Sequence, residues 1–259
     1  GCVVAPLCAW HHAAFDREPD VTGWAGLPPA SQVISDFYLC KFPGLSQTDD
    51  SVAAALDARN DDDAIAALRR AHPTLPLVTF SHFVPRPELV PEKRYLFVPA
   101  LAKAVGSTFL ERRVARLKPD VHVFGHTHFG WDATLDGTRY VQACLAYPRE
   151  RRDRLTTVAA VCCPADAPDR ATTCPPCAPA GSPFPVAPAP LLLREGGAFV
   201  PRYRCGWSAF YDVNQRRPDL THMLPPYVAK QYSCVPGVGE VGWGEGVITP
   251  ASAMLSIST

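Results

Sequence analysis

The chain has 259 residues, 47% of them hydrophobic, and its 25 lysines and arginines balance 25 aspartates and glutamates. That balance excludes a global field suited to nucleic acid or an anionic membrane, and no apolar run approaches the roughly 20 residues of a spanning helix. The length is enough for one large or two small domains with a buried core, and ten cysteines without regular spacing make no disulfide framework, which points to a reducing, intracellular setting.

The sequence opens at Gly1 directly into an apolar strand-like run, Cys2-Val-Val-Ala-Pro-Leu7, with no targeting region before it. That opening suggests a sequence beginning inside a longer protein. Residues 10–20 follow, with His11, His12, Asp16, Glu18 and Asp20 as a conceivable ligand cluster. A structural or substrate-rim loop is the better reading of them.

Over residues 50–71 the pattern turns helical, with Val52, Leu56, Ile65 and Leu68 at helical spacing. Asn60-Asp-Asp-Asp63 is placed to cap a second helix that ends in Arg69-Arg70, matching acids to the amino end and bases to the carboxyl end. This acidic run lacks the glycine and distal glutamate of a calcium loop.

Pro73 and Pro76 end the helical stretch, and Leu77-Val-Thr-Phe80 reads as a strand presenting His82. Residues 85–100, rich in proline and charge, predict a long surface loop. Arg86, Lys93 and Arg94 there are candidates to meet a phosphate, against the more frequent reading of a solvated charged loop. Thr108-Phe-Leu-Glu111 has capping-box form and opens a helix whose apolar face is Leu110, Val114 and Leu117, stopped by Lys118-Pro119.

Next comes Asp120-Val-His-Val-Phe-Gly-His-Thr-His-Phe-Gly-Trp-Asp132, the stretch with the clearest chemistry. Val121, Val123 and Phe124 read as a buried strand and Gly125 ends it. In extended backbone, residues two apart project to the same side, so His126 and His128 are spaced to converge on one ion. Neutral imidazole is the commonest protein ligand for transition metals. His122, inside the strand, reads as core or surface and not as a ligand. Asp136-Gly137, flanked by residues 131–135 and 139–144, is a strong hairpin signal.

Beyond residue 152 the character changes. Residues 155–161 suggest one more strand, and 164–190 are dominated by Pro, Ala, Ser and Thr, a composition too poor in large apolar residues to offset chain entropy. This insertion carries Cys162-Cys163 and Cys174-Pro-Pro-Cys177, half of a zinc-knuckle pattern. Residues 191–236 regain globular character, with aromatic residues expected to pack on the core, and 237–259 form a glycine-rich, then small and polar tail.

Taken together, Ser81-His82-Phe83, Pro91-Glu92-Lys93-Arg94, Gly125-His126-Thr127-His128-Phe129, Leu135-Asp136-Gly137 and Tyr147-Pro148-Arg149-Glu150-Arg151 resemble the second half of a calcineurin-like metallophosphoesterase domain. In that family the ordered motifs are Asp-x-His, Gly-Asp, Gly-Asn-His-Asp/Glu, an isolated His and Gly-His-x-His; the chain has the last two. The resemblance implies an α/β fold: a partial metallophosphoesterase sandwich, sheet layers flanked by helices, over residues 1–152, then a disordered Pro/Ala/Cys-rich insertion at 153–190 and a short C-terminal extension at 191–236. It implies two divalent or trivalent ions (Mn, Fe or Zn) in the complete protein, His82 and His126 binding one and His128 the other, and a phosphate-ester substrate hydrolysed at the dinuclear site. The bridging carboxylate, the asparagine ligand and the histidine that assists the leaving group belong to the motifs not present. The 259 residues alone are therefore expected to bind metal weakly and hydrolyse poorly. Two other readings stand beside this one: an inactive binding module derived from a phosphoesterase, and a zinc-stabilised regulatory module built on Cys162, Cys163, Cys174 and Cys177.

Overall fold

The computed structural model describes residues 1–153, 157, 160–161, 193–243 and 249. The architecture is mixed α/β, and five strands make its centre: β1 (Val3–Pro6), β3 (Leu77–Phe80), β4 (Val121–Val123), β5 (Trp131–Leu135) and β6 (Thr138–Gln142). They lie in the order β1-β3-β4-β6-β5. The first four are parallel neighbours, with Val3 opposite Leu77, Val78 opposite Val121 and Val121 opposite Arg139, while β5 runs antiparallel to β6 on the edge. The short β2 (Trp24–Ala25) pairs outside this sheet with Ser233–Cys234. Among the described residues the second layer of a sandwich is represented only by two-stranded ladders.

Helices flank the sheet. The segment between β1 and β3 contains α1 (Ala30–Val33), α2 (Asp36–Leu39), α3 (Ser51–Asp57) and α4 (Asp62–Ala71). The acidic run acts as a cap: Asp61 accepts from the Ala64 N–H at 2.9 Å, and Asp62 turns to Arg113 and Arg116. Val52 and Ile65 are buried as the periodicity requires, but Leu68 is 46% exposed. The helix between β3 and β4, α5 (Thr108–Leu117), buries Leu110, Val114 and Leu117. Its N-cap is Ser107, one residue earlier than the capping box predicts. Thr108 is engaged elsewhere, since its N–H donates to His12 Nε2 at 3.1 Å, and Glu111 pairs with Arg17 instead of reaching back to the helix start. Asp136 and Gly137, with φ of 49° and 83°, form the hairpin turn between β5 and β6 that their sequence predicts.

Residues 85–100 differ from expectation. They make 3-10 turns at Pro87–Leu89, Lys93–Tyr95 and Pro99–Ala104, and most of their side chains are buried. The cover comes from the C-terminal segment, where the helix Gly206–Val213 buries Trp207 and Phe210 in the same core as Tyr95 and Trp131. The charges of this stretch are consequently paired within the protein, with only Arg94 Nη1 among their buried nitrogens left without a partner among the described residues. Lys93 pairs with Asp16 at 2.6 Å and Asp20 at 2.7 Å, Arg94 lies 3.4 Å from Glu92, and Arg86 pairs with Glu88 and Asp136. Glu92 also takes the backbone N–H of Arg217.

Of the strand expected at 155–161, Ala160–Val161 pairs with Arg204–Cys205. The insertion at 164–190, its cysteines and most of the tail lie outside the described residues. No helix among the described residues is long and apolar enough to cross a membrane.

Candidate functional site

In an open, largely parallel sheet, ligands gather where the carboxyl ends of the strands open. Here β1 leads to His11 and His12, β3 to His82, and β4 to His126 and His128. The ends of β3 and β4 are tied by the Gly125 N–H, which donates to the His82 carbonyl at 3.0 Å.

His122 positions the segment that carries His82. It is fully buried between Thr79 Oγ1 at 2.8 Å and Ser81 Oγ at 3.0 Å. Ser81 gives its own proton to the Phe83 carbonyl, so it accepts from His122 Nε2–H, and the bare Nδ1 accepts from Thr79. Burial pushes the His122 pKa down to about 3, so the ring is neutral in this relay. It is a core residue, and it fixes the turn from which His82 projects.

His82 and His126 come together, with Nε2 and Nδ1 3.1 Å apart. The other nitrogen of His126 lies 2.8 Å from the Ala104 carbonyl, which can only accept. Nε2 of His126 therefore carries the proton, and Nδ1 faces His82 with its lone pair. Burial pushes the His126 pKa down to about 4, partly opposed by Asp36, and lowers that of His82 as well. Both rings are neutral at pH 7, the form in which imidazole ligates metal.

His128 takes another direction. Its Nδ1 lies 2.7 Å from Glu150 of α6 (Pro148–Asp153), and Glu150 also receives the Tyr147 N–H at 2.9 Å. The backbone gives the reason. His126 and His128 have φ of 73° and 56°, in the left-handed region that non-glycine residues seldom adopt, so the alternation of extended chain does not apply to them. Thr127 between them is buried and bonded to Gln142. Such backbone strain clusters at functional sites.

Two residues join the pair from the region before β3. Asp36, on α2, lines the same cavity as the three histidines. Its carboxyl is held below the ordinary value by His11 first, and then by the proximity of His126 and His82. His11 is 1% exposed, and its Nε2 stands 3.5 Å from the Asp36 carboxylate, an ion-pair distance longer than a good hydrogen bond. Neither ring nitrogen of His11 has a hydrogen-bond partner among the described residues. His12 instead supports α5, and Asp16 and Asp20 are taken up by Lys93. Asp36 has no flanking signal in the sequence, whereas Glu150 lies within the Tyr147–Arg151 motif.

The donors suit a transition metal in kind, two neutral imidazoles with converging nitrogens and a carboxylate nearby, but not in number. Among the described residues, no group of three or more His, Cys, Asp and Glu side chains is arranged to hold an ion. The cavity itself is about 790 Å³ and is lined by His82, His126, His128, Asp36 and Glu150 together with a set of aromatic side chains.

Comparison with protein-family models and with curated proteins finds no match. Among solved structures, the chain is similar to the crystal structure of phosphopantetheinyl hydrolase (PptH) from Mycobacterium tuberculosis, with 23% sequence identity and a TM-score of 0.41, over 59% of this chain and 52% of that one. The chain thus spans about half the length of that protein, and a likeness of this strength carries no functional argument.

Proposed function

We propose that the chain forms the histidine side of a metal-dependent phosphoesterase site. The observation that supports this reading is the His82–His126 pair, neutral and nitrogen to nitrogen at 3.1 Å on the cavity wall. Its outer nitrogen is fixed by the Ala104 carbonyl, the kind of second partner that orients a ligating histidine. In this reading His82 and His126 hold one ion and His128, on leaving Glu150, contributes to a second. Manganese, iron and zinc all suit imidazole with carboxylate. Such ions supply charge withdrawal from phosphoryl oxygens and acidify water. A catalytic ion needs about three protein ligands, so the reading requires more ligands than the described residues bring together. What the chain's own residues do is orient the two rings, keep them unprotonated by burial, and place a carboxylate, Asp36, beside them.

That no third ligand joins the pair among the described residues favours a second reading, a binding module without catalysis. The test is metal content and nitrophenyl phosphate hydrolysis of the protein supplied with Mn²⁺ or Zn²⁺, before and after His126→Ala. Weak metal binding and slow nitrophenol release, both lost in the variant, are expected of these residues, whose ligand set falls short of a complete site. Hydrolysis that survives with normal metal content would remove His126 from the site. A protein that binds no metal at all, even at millimolar Mn²⁺ or Zn²⁺, would remove the metal-site reading and favour the binding module.

A further inference from the structure

From the stretch 96–101, four side chains line the cavity that holds the histidines, and all are hydrocarbon: Leu96, Phe97, Val98 and Leu101. Val33 and Ile34, at the end of α1, join them. Three large apolar side chains at this cavity, Val33, Phe97 and Tyr147, are 38%, 40% and 64% exposed. Exposed apolar groups gathered at one cavity mark a place where something apolar binds.

This wall has little to give a polar ligand. The carbonyls of Tyr95, Phe97 and Val98 are already taken, by the Tyr227 hydroxyl at 2.6 Å, the Tyr232 hydroxyl at 2.6 Å and the Leu101 N–H at 2.9 Å. The Tyr95 hydroxyl and the Trp207 indole N–H are closed to solvent. Among the described residues no lysine or arginine lines the cavity, and its carboxylates are Asp36, Glu150 and Asp153. A polar group laid on such a wall gives up water and gains no partner, whereas a hydrocarbon chain removes its own surface and that of the wall from water.

From this wall we infer that the cavity takes an alkyl chain, laid against Leu96, Phe97, Val98 and Leu101. Joined to the phosphoesterase reading, on which this step rests, the substrate class is a phosphate ester of a long-chain alcohol: the chain on the apolar wall, the phosphate toward His82 and His126. With no basic side chain on the cavity to receive the phosphate, the chain supplies most of the affinity when metal is absent. A volume of about 790 Å³ accommodates chain and phosphate together.

The experiment is calorimetric titration of the protein, in metal-free buffer containing chelator, with butyl phosphate, octyl phosphate, octanol and AMP. Octyl phosphate should bind at least about tenfold more tightly than butyl phosphate, since each buried methylene is worth a factor of up to about four. Octanol should keep most of that affinity, and AMP should bind at least about tenfold more weakly than octyl phosphate. Phe97→Ser replaces a half-exposed ring, so the melting temperature should change little; it should weaken octyl phosphate about fivefold and leave butyl phosphate within about twofold. Val33→Ser, on a different element, should act in the same direction. Equal binding of butyl and octyl phosphate, tighter binding of AMP than of octyl phosphate, or unchanged octyl phosphate affinity in both variants would overturn the inference. Sedimentation with phosphatidylcholine vesicles carrying phosphatidic acid separates two sources of such a chain. Capture by vesicles that is lost in Phe97→Ser supports a bilayer lipid, and its absence alongside octyl phosphate binding supports a free ester. Chain-length dependence in a protein that binds no Mn²⁺ or Zn²⁺ even at millimolar concentration would discard the metal-site reading and leave the chain site standing. Metal binding lost in His126→Ala, together with equal binding of butyl and octyl phosphate, would do the reverse.

Discussion

The histidine edge and the charged belt under residues 85–100 draw on similar polar side chains and reach opposite ends. In the belt, Lys93 meets Asp16 and Asp20, and Glu92 receives the Tyr211 hydroxyl, the Arg217 N–H and the Arg94 guanidinium. At the edge, neither ring nitrogen of His11 is hydrogen-bonded among the described residues, its Nε2 having only Asp36 at 3.5 Å; His82 meets His126, whose other nitrogen meets the Ala104 carbonyl; and both histidines of the Gly-His-x-His motif sit in left-handed backbone. Matched burial holds a fold together, whereas unmatched burial and backbone strain are costs, retained where something else is to be bound. The belt keeps two orphans of its own, Arg94 Nη1 and the Tyr95 hydroxyl, but its carboxylates and Lys93 are matched, so it is mainly architecture and the edge is site, although sequence alone made Lys93 and Arg94 candidates for phosphate contact.

Breaking the belt should do the most damage. Glu92→Ala leaves Arg94 buried without its carboxylate and should cost about 3–5 kcal/mol, read as a lower urea midpoint. Acid should weaken the folded state through buried neutral histidines, His122 above all. Its pKa falls from an ordinary 6.5 to about 3 on folding, so its contribution is complete above about pH 6.5 and is lost as pH falls toward 3, when the unfolded chain takes up a proton that the folded one refuses. The slope should be about 1.4 kcal/mol per pH unit for this ring. Denaturation of His122→Gln at a series of pH values should show that much less slope, and an unchanged slope would contradict the assignment. The smallest effect should fall on the edge. His128→Gly relieves a φ of 56° and loses one partly exposed contact to Glu150, so the two should cancel to within about 1 kcal/mol. A loss as large as that of Glu92→Ala would erase the distinction between the two regions.

How much of this was legible in the sequence follows from the range of the forces involved. The strands before His82 and Gly125, the helix faces of Val52, Ile65, Leu110 and Val114, and the Asp136-Gly137 turn are set by neighbours within a few residues, and their patterns show it. The ends of β3 and β4 were therefore placed correctly. Residues 85–100 read as surface because what covers them, Tyr211 and Arg217, lies 119 and 125 residues further along. Asp36 likewise meets His11 and lines the cavity with His126 only through the fold. The separation of His126 from His128 depends on two φ angles that no residue-type preference announces, since histidine is not the residue expected there.

The long reach of Glu92 also sets an order of events. Its partners Tyr211 and Arg217, and the Tyr227 that holds the Tyr95 carbonyl, emerge from the ribosome only after more than a hundred further residues. Lys93 can meet the upstream Asp16 and Asp20 at once, but until then Arg94 and Tyr95 stand uncovered beside a sheet whose own strands are already synthesised. Pairings of such sequence separation form late and slowly. A chain shortened before residue 206 would thus present an assembled strand edge next to uncovered charge and aromatic surface, a form for chaperones and proteases to recognise.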